Sequence, residues 1–150
     1  MQHRISELTQ QILTSDISDL ANKGPMAEMI VGLELLHYRT PNIRHELYYW
    51  QRMAKNSRAE IDYVSSYRQT VLPIEVKAGM QGGMKSLWLF MREKNLTNAI
   101  RCSLENFGTF DYEDQEAGGT LRHVLICPLF ALSRMEWLMA GSTHFFHASV

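Results

Sequence analysis

The chain has 150 residues, 45% of them hydrophobic, 21% charged and 10% aromatic, with a net charge of −1. That is the composition of an ordinary globular domain, which excludes a disordered or fibrous chain, and the length lets one core form without disulfides or a structural metal, with about 70% of the unfolded surface buried. The two cysteines, Cys102 and Cys127, are far apart and form no CxxC pair, so neither a disulfide framework nor a zinc knuckle is expected, and a reducing cytoplasmic setting fits.

The N-terminus lacks the long apolar stretch of a signal peptide, and no apolar run reaches the roughly 20 residues that span a bilayer, so a soluble protein away from membranes is expected. Charge is unevenly placed. Glu105, Asp111, Glu113, Asp114 and Glu116 fall in a stretch without Lys or Arg, and taking their five negative charges from the net −1 leaves +4 elsewhere. Arg39, Arg44, Arg52, Lys55 and Arg58 form a locally basic stretch, read either as a solvated mixed surface or as a phosphate track.

In chain order, Ile5, Leu8, Ile12 and Leu13 share one helical face and predict a short first helix over residues 4–14. Gly24-Pro25 then opens a second helix reaching His37, with Met26, Met29, Ile30, Leu33 and Leu36 as its apolar side and Glu28 off that run. Three strands of a meander follow at 46–53, 60–64 and 71–77, the first two joined by Lys55-Asn56-Ser57-Arg58. Gly79 to Gly83 breaks the sheet pattern, and a helix with Met84, Leu87, Trp88 and Met91 inward runs to about Lys94. A strand over 97–104 lies beside an earlier one through this helical crossover, an acidic loop follows, residues 121–128 form the last strand, and a closing helix over 129–139 turns Leu132, Met135 and Met139 inward. The whole is one mixed α/β domain without internal repeats.

Alternation along a strand sends Glu75 and Lys77 to one face and Ile74 and Val76 to the other. In the preceding strand Glu60 and Asp62 share a face opposite Ile61 and Tyr63, and hairpin pairing sets Asp62 beside Glu75. Burying these charges is costly unless they pair or bind a metal. Two carboxylates and the carbonyl of Val76 make an all-oxygen site suited to Mg²⁺ or Mn²⁺, with Lys77 placed to hold a water or offset phosphate charge. A solvated Glu75–Lys77 pair on a one-sided sheet is the alternative.

Asp62 followed by Glu75-Val76-Lys77 resembles the D…ExK signature of the PD-(D/E)XK nuclease superfamily, whose restriction-endonuclease-like core is an αβββαβ unit. Residues 24–36, Tyr48-Tyr49-Trp50, residues 59–64, residues 73–79 and residues 126–132 are similar to a C-terminal domain of unknown function in bacterial AAA-type ATPases, a resemblance covering residues 15–135. It implies a mixed sheet flanked by helices, metal held by Glu28, Asp62 and Glu75, Lys77 assisting water attack, and DNA as substrate. The helical carboxylate falls on Glu28, expected to face the sheet, with Glu34 the competing, more superficial choice. No GxxxxGK[ST] occurs, so neither ATP binding nor the ATPase part of such relatives is expected in this chain. A non-catalytic module binding nucleic acid or an ATPase partner is the other reading. His144 and His147, Ser86, and the base-stacking candidates Trp50 and Trp88 are weaker features, and the nine methionines read as core filler.

Overall fold

A computed structural model describes residues 24–37, 46–54, 57–78 and 83–141. The expected first helix, His144 and His147, and Arg39, Arg44 and Lys55 of the basic stretch lie outside them. The described elements are α1 (Gly24–His37), β1 (Tyr48–Ala54), β2 (Ser57–Tyr67), β3 (Thr70–Lys77), α2 (Lys85–Glu93), β4 (Asn98–Ser103), β5 (Gly108–Asp114), a 3₁₀ turn (Gln115–Ala117), β6 (Thr120–Pro128), a 3₁₀ segment (Leu129–Arg134) and α3 (Met135–Gly141).

The six strands form one mixed sheet in the order β1-β2-β3-β4-β6-β5. β1, β2 and β3 are an antiparallel meander, β4 and β6 run parallel to β3, and β5 returns antiparallel to β6. The β2–β3 hairpin turns on Arg68 (φ 46°) and Gln69 (φ 67°), the positive φ values that two-residue hairpin loops require. Parallel β3 and β4 need a crossover, and α2 supplies it.

Both faces of the sheet are covered, which is why the central strands read as near-continuous apolar runs. On one side Leu72, Ile74, Val76, Ile100, Cys102, Leu125 and Cys127 pack against Ala27 and Val31 of α1 and Leu132, Met135 and Met139 beyond β6. On the other, Ile61, Ala99 and Val124 pack against Leu87, Phe90 and Met91 of α2. The expected inward residues of the last helix, Leu132, Met135 and Met139, are all buried, although its first half is 3₁₀ and not α. Cys102 and Cys127 are free, buried and directly paired on β4 and β6. No helix among the described residues is long and apolar enough to cross a membrane.

Three expectations are corrected. The acidic stretch is not a loop: residues 108–114 form β5, an edge strand in which Phe110 and Tyr112 alternate with Thr109, Asp111 and Glu113. Trp88 secures it, stacking on Tyr112 at 4.4 Å between centroids and meeting Phe110 edge-on at 6.4 Å, while the acids face outward or pair with Arg122, Arg92 and His123. The inward face of α1 is not the row of Met26, Met29, Leu33 and Leu36, since Leu33 and Leu36 are exposed and Ala27, Val31 and Gly32 are buried. Small residues win because the Tyr63 side chain reaches from β2 up to the helix: a Cβ on Gly32 would stand 2.8 Å from the Tyr63 hydroxyl. Finally, Ile61 and Tyr63 do not share a face. Trp50 pairs with Ile61 but Tyr48 with Val64, so Asp62 and Tyr63 together oppose Tyr49 in a β-bulge, and Ile61 packs with α2 while Tyr63 packs with α1.

Candidate functional site

The bulge changes what Asp62 can reach. The β2–β3 ladder ends at Tyr63↔Ile74, one position before Asp62 would pair with Glu75. The Asp62 side chain then takes over from the backbone: the N–H of Val76 donates to Asp62 Oδ2 at 2.7 Å. The carboxylate is thereby pinned to the peptide between Glu75 and Lys77, with Oδ1 and the second lone pair of Oδ2 left for a ligand. Bulges re-aim single side chains in this way.

Glu75 lies on β3 with only 4% of its surface exposed, a position where an unpaired charge is costly. Lys77 Nζ contacts Glu75 Oε1 at 2.5 Å, the same-face pairing expected of residues i and i+2 in a strand. Glu75 Oε2 is buried without a hydrogen-bond partner. Burial pushes the Glu75 carboxyl above its ordinary value, with Asp62 and Glu60 adding to the rise and Lys77 opposing it. Burial likewise raises Asp62, Glu60 adding to it, while the Val76 N–H and Lys77 pull it down. Like charges are therefore held close in a site that resists ionisation, which is the condition a divalent cation relieves.

Glu28 lies on α1 within electrostatic reach of the sheet residues Asp62, Glu60 and Lys77. Its side chain is exposed on α1, and its link to β2 runs through the backbone, where the Tyr63 hydroxyl donates to the Glu28 carbonyl at 2.8 Å. It still feels the site: partial burial first, then Asp62 and Glu60, raise its carboxyl, and Lys77 lowers it. Glu34, expected at the surface, is half-buried, and its Oε2 accepts the Ser133 N–H at 3.2 Å, fastening α1 to the segment after β6. Among the described residues no group of three or more His, Cys, Asp and Glu side chains is arranged to hold a metal ion. The structure thus brings Asp62, Glu75, Val76 and Lys77 together, with the exposed Glu28 carboxylate near enough to Asp62 and Lys77 to feel their charges.

Two basic residues of the presumptive phosphate track are already engaged, Arg52 with Glu93 and Arg58 with Glu60 at 3.1 Å. Trp50 and Trp88 are half-buried and packed on Phe90 and Tyr112, so both serve the core. Ser86 is half-buried in the first turn of α2. Sequence reasoning passed over Arg101, which interrupts the apolar run Ala99-Ile100-Arg101-Cys102 just as Glu75 interrupts its own strand, and which pairs with Glu75 across β3 and β4.

Residues 23–129 match the family described as Domain of unknown function (DUF4143). The chain belongs to that family. The match takes in α1, all six strands and the Asp62–Glu75–Lys77 cluster, so the candidate site lies within the family's own domain. No curated protein and no solved structure matches the chain.

Proposed function

We infer that this domain is nuclease-like, with a PD-(D/E)XK arrangement in a restriction-endonuclease-like core, and that it hydrolyses DNA phosphodiester bonds with Mg²⁺ or Mn²⁺. The single observation that carries the reading is the buried, unpartnered Glu75 Oε2 beside an Asp62 carboxylate anchored to the Val76 N–H. An oxygen-only donor set of Asp62, Glu75 and the Val76 carbonyl suits a hard divalent cation, and Glu28 on the neighbouring helix would complete it. An ion there supplies charge neutralisation at the phosphate and a more acidic water. The chain's own part is to fix Asp62 by the Val76 N–H, to hold Lys77 beside Glu75, and to keep the carboxylates on β2 and β3 and not on a loop. Lys77, held beside Glu75, would be the group to orient a water or meet phosphate charge.

A cleavage assay on linear and circular DNA with Mg²⁺ or Mn²⁺ tests this directly. Asp62→Ala and Lys77→Ala should each abolish cleavage while leaving the fold intact by circular dichroism. Cleavage that persists unchanged in both variants overturns the assignment.

A second reading is supported by one observation, the lack of a third acidic ligand around Asp62 and Glu75 among the described residues. The same fold would then serve as a non-catalytic module binding nucleic acid or an ATPase partner. Binding to DNA that falls steeply with salt, without cleavage by the wild-type protein, favours that reading.

A further inference from the structure

β3 and β4 run parallel with Glu75 opposite Arg101 and Lys77 opposite Ser103. Ile100 and Cys102 belong to the core beneath α1, so alternation sends Arg101 to the α2 side of the sheet, the side that Glu75 shares because Ile74 and Val76 face α1. The Arg101 side chain is only 12% exposed, and its Nε and Nη2 are buried without hydrogen-bond partners. The acid nearest to it in an ion pair is Glu105, with Oε2 at 3.8 Å from Nη2, too far for a hydrogen bond. On directly paired positions, then, a guanidinium lacks acceptors and a carboxylate oxygen lacks a donor, yet the two do not satisfy each other. A single ligand meets both needs if it presents a cation to Glu75 and an anionic oxygen to Arg101. A phosphate bound to a divalent ion has that polarity.

We propose that Arg101 binds a phosphate oxygen of the ligand beside the Asp62–Glu75 carboxylates, and that Glu105 holds the guanidinium's charge until the phosphate arrives. The cation half of this rests on the nuclease-like reading; the phosphate half rests on Arg101 alone. A planar guanidinium with two unfilled N–H positions is the group best shaped for bidentate contact with a phosphate. Glu105 is suited to giving way. It lies between β4 and β5, its side chain is 37% exposed, and its hydrogen bonds among the described residues are local, with Ser103 Oγ donating to Oε2 at 3.0 Å and accepting the Glu105 N–H at 3.1 Å.

The test is a titration of the whole chain with inorganic phosphate in the absence of metal, following the Nε–H resonance of Arg101, assigned by its loss in Arg101→Met. A saturable shift of that resonance is expected. Phosphate affinity should fall about tenfold or more in Arg101→Met, the cost of losing one charged hydrogen-bonding partner, and should rise in Glu105→Gln, which removes the competing charge without touching the guanidinium. No phosphate-dependent shift in the wild type, or unchanged affinity in Arg101→Met, or weaker binding in Glu105→Gln overturns the proposal. Glu105 is partly exposed, so its variant decides the matter even if Arg101→Met fails to fold. A parallel Mn²⁺ titration separates the two readings: phosphate binding at Arg101 without Mn²⁺ binding sinks the metal assignment and keeps the phosphate site, and the reverse result does the opposite.

Discussion

Two regions of the sheet bury a carboxylate beside an arginine, and they treat it differently. At the β5–β6 edge, Asp114 and Arg122 are almost fully buried, Arg122 Nε donates to Asp114 Oδ2 at 2.8 Å, Arg122 Nη1 reaches the Leu96 carbonyl, and Arg92 Nε stands 3.4 Å from the same carboxylate oxygen. At the β3–β4 junction, Glu75 and Arg101 are neighbours in register, but each keeps unfilled hydrogen-bonding positions, and Glu75 turns to Lys77 instead. The first cluster leaves Asp114 Oδ1 without a partner too, but its carboxylate and guanidinium bond to each other, and in doing so they tie two strands, a helix and a loop together. The second leaves electrostatic need unmet in the interior, an arrangement that costs stability and that a ligand can repay.

The largest expected effect breaks the structural cluster. Arg122→Met strands Asp114 in the interior and should lower stability by about 3–5 kcal/mol in chemical denaturation, without altering Mn²⁺ or phosphate binding in whatever fraction remains folded. A loss as small as that of a surface pair would erase the contrast between the regions.

Next is the contact between α1 and the Tyr63 side chain of β2. Gly32→Ala would place its Cβ 2.8 Å from the Tyr63 hydroxyl, which is itself held by the Glu28 carbonyl at 2.8 Å, so the ring cannot simply swing aside. The cost should be about 1–3 kcal/mol by the same denaturation measurement.

The smallest effect has the opposite sign. Glu75→Gln removes a buried charge whose folded pKa lies above its ordinary value of 4.5. Because the folded chain keeps that proton to higher pH than the unfolded chain does, wild-type stability falls as pH rises from about 4 through the raised folded value, and the loss is complete above it. The variant should therefore be more stable than wild type by about 1 kcal/mol at pH 8, with the difference vanishing near pH 4. A variant less stable at both pH values would mean that Glu75 is a structural partner of Lys77 and nothing more.

Much of this was legible in the sequence. Apolar periodicity gave α2, β3, β4, β6 and the crossover, and the alternation around Ile74 and Val76 placed Glu75 with Lys77. What escaped has physical causes. β5 was hidden because charge density in Asp111, Glu113 and Asp114 outweighed the alternation of Phe110 and Tyr112, whose partner Trp88 is 22 and 24 positions away. The α1 face was misplaced because nearly the whole helix is apolar, so that the closeness of its approach, not hydrophobicity, selects Ala27, Val31 and Gly32. The bulge at Asp62 and Tyr63 leaves no compositional trace, yet it is what hands the Val76 N–H to Asp62. Arg101 was readable by the argument applied to Glu75, a charge set inside an apolar strand, and only its register beside Glu75 gives that charge a meaning.

The most direct test of the central claim is calorimetric titration of the chain with Mn²⁺, in wild type and in Glu75→Gln. One ion bound per chain, with binding lost in the folded variant, is the expected result. A folded wild-type protein that takes up no ion, or a variant that binds as tightly as wild type, would contradict it.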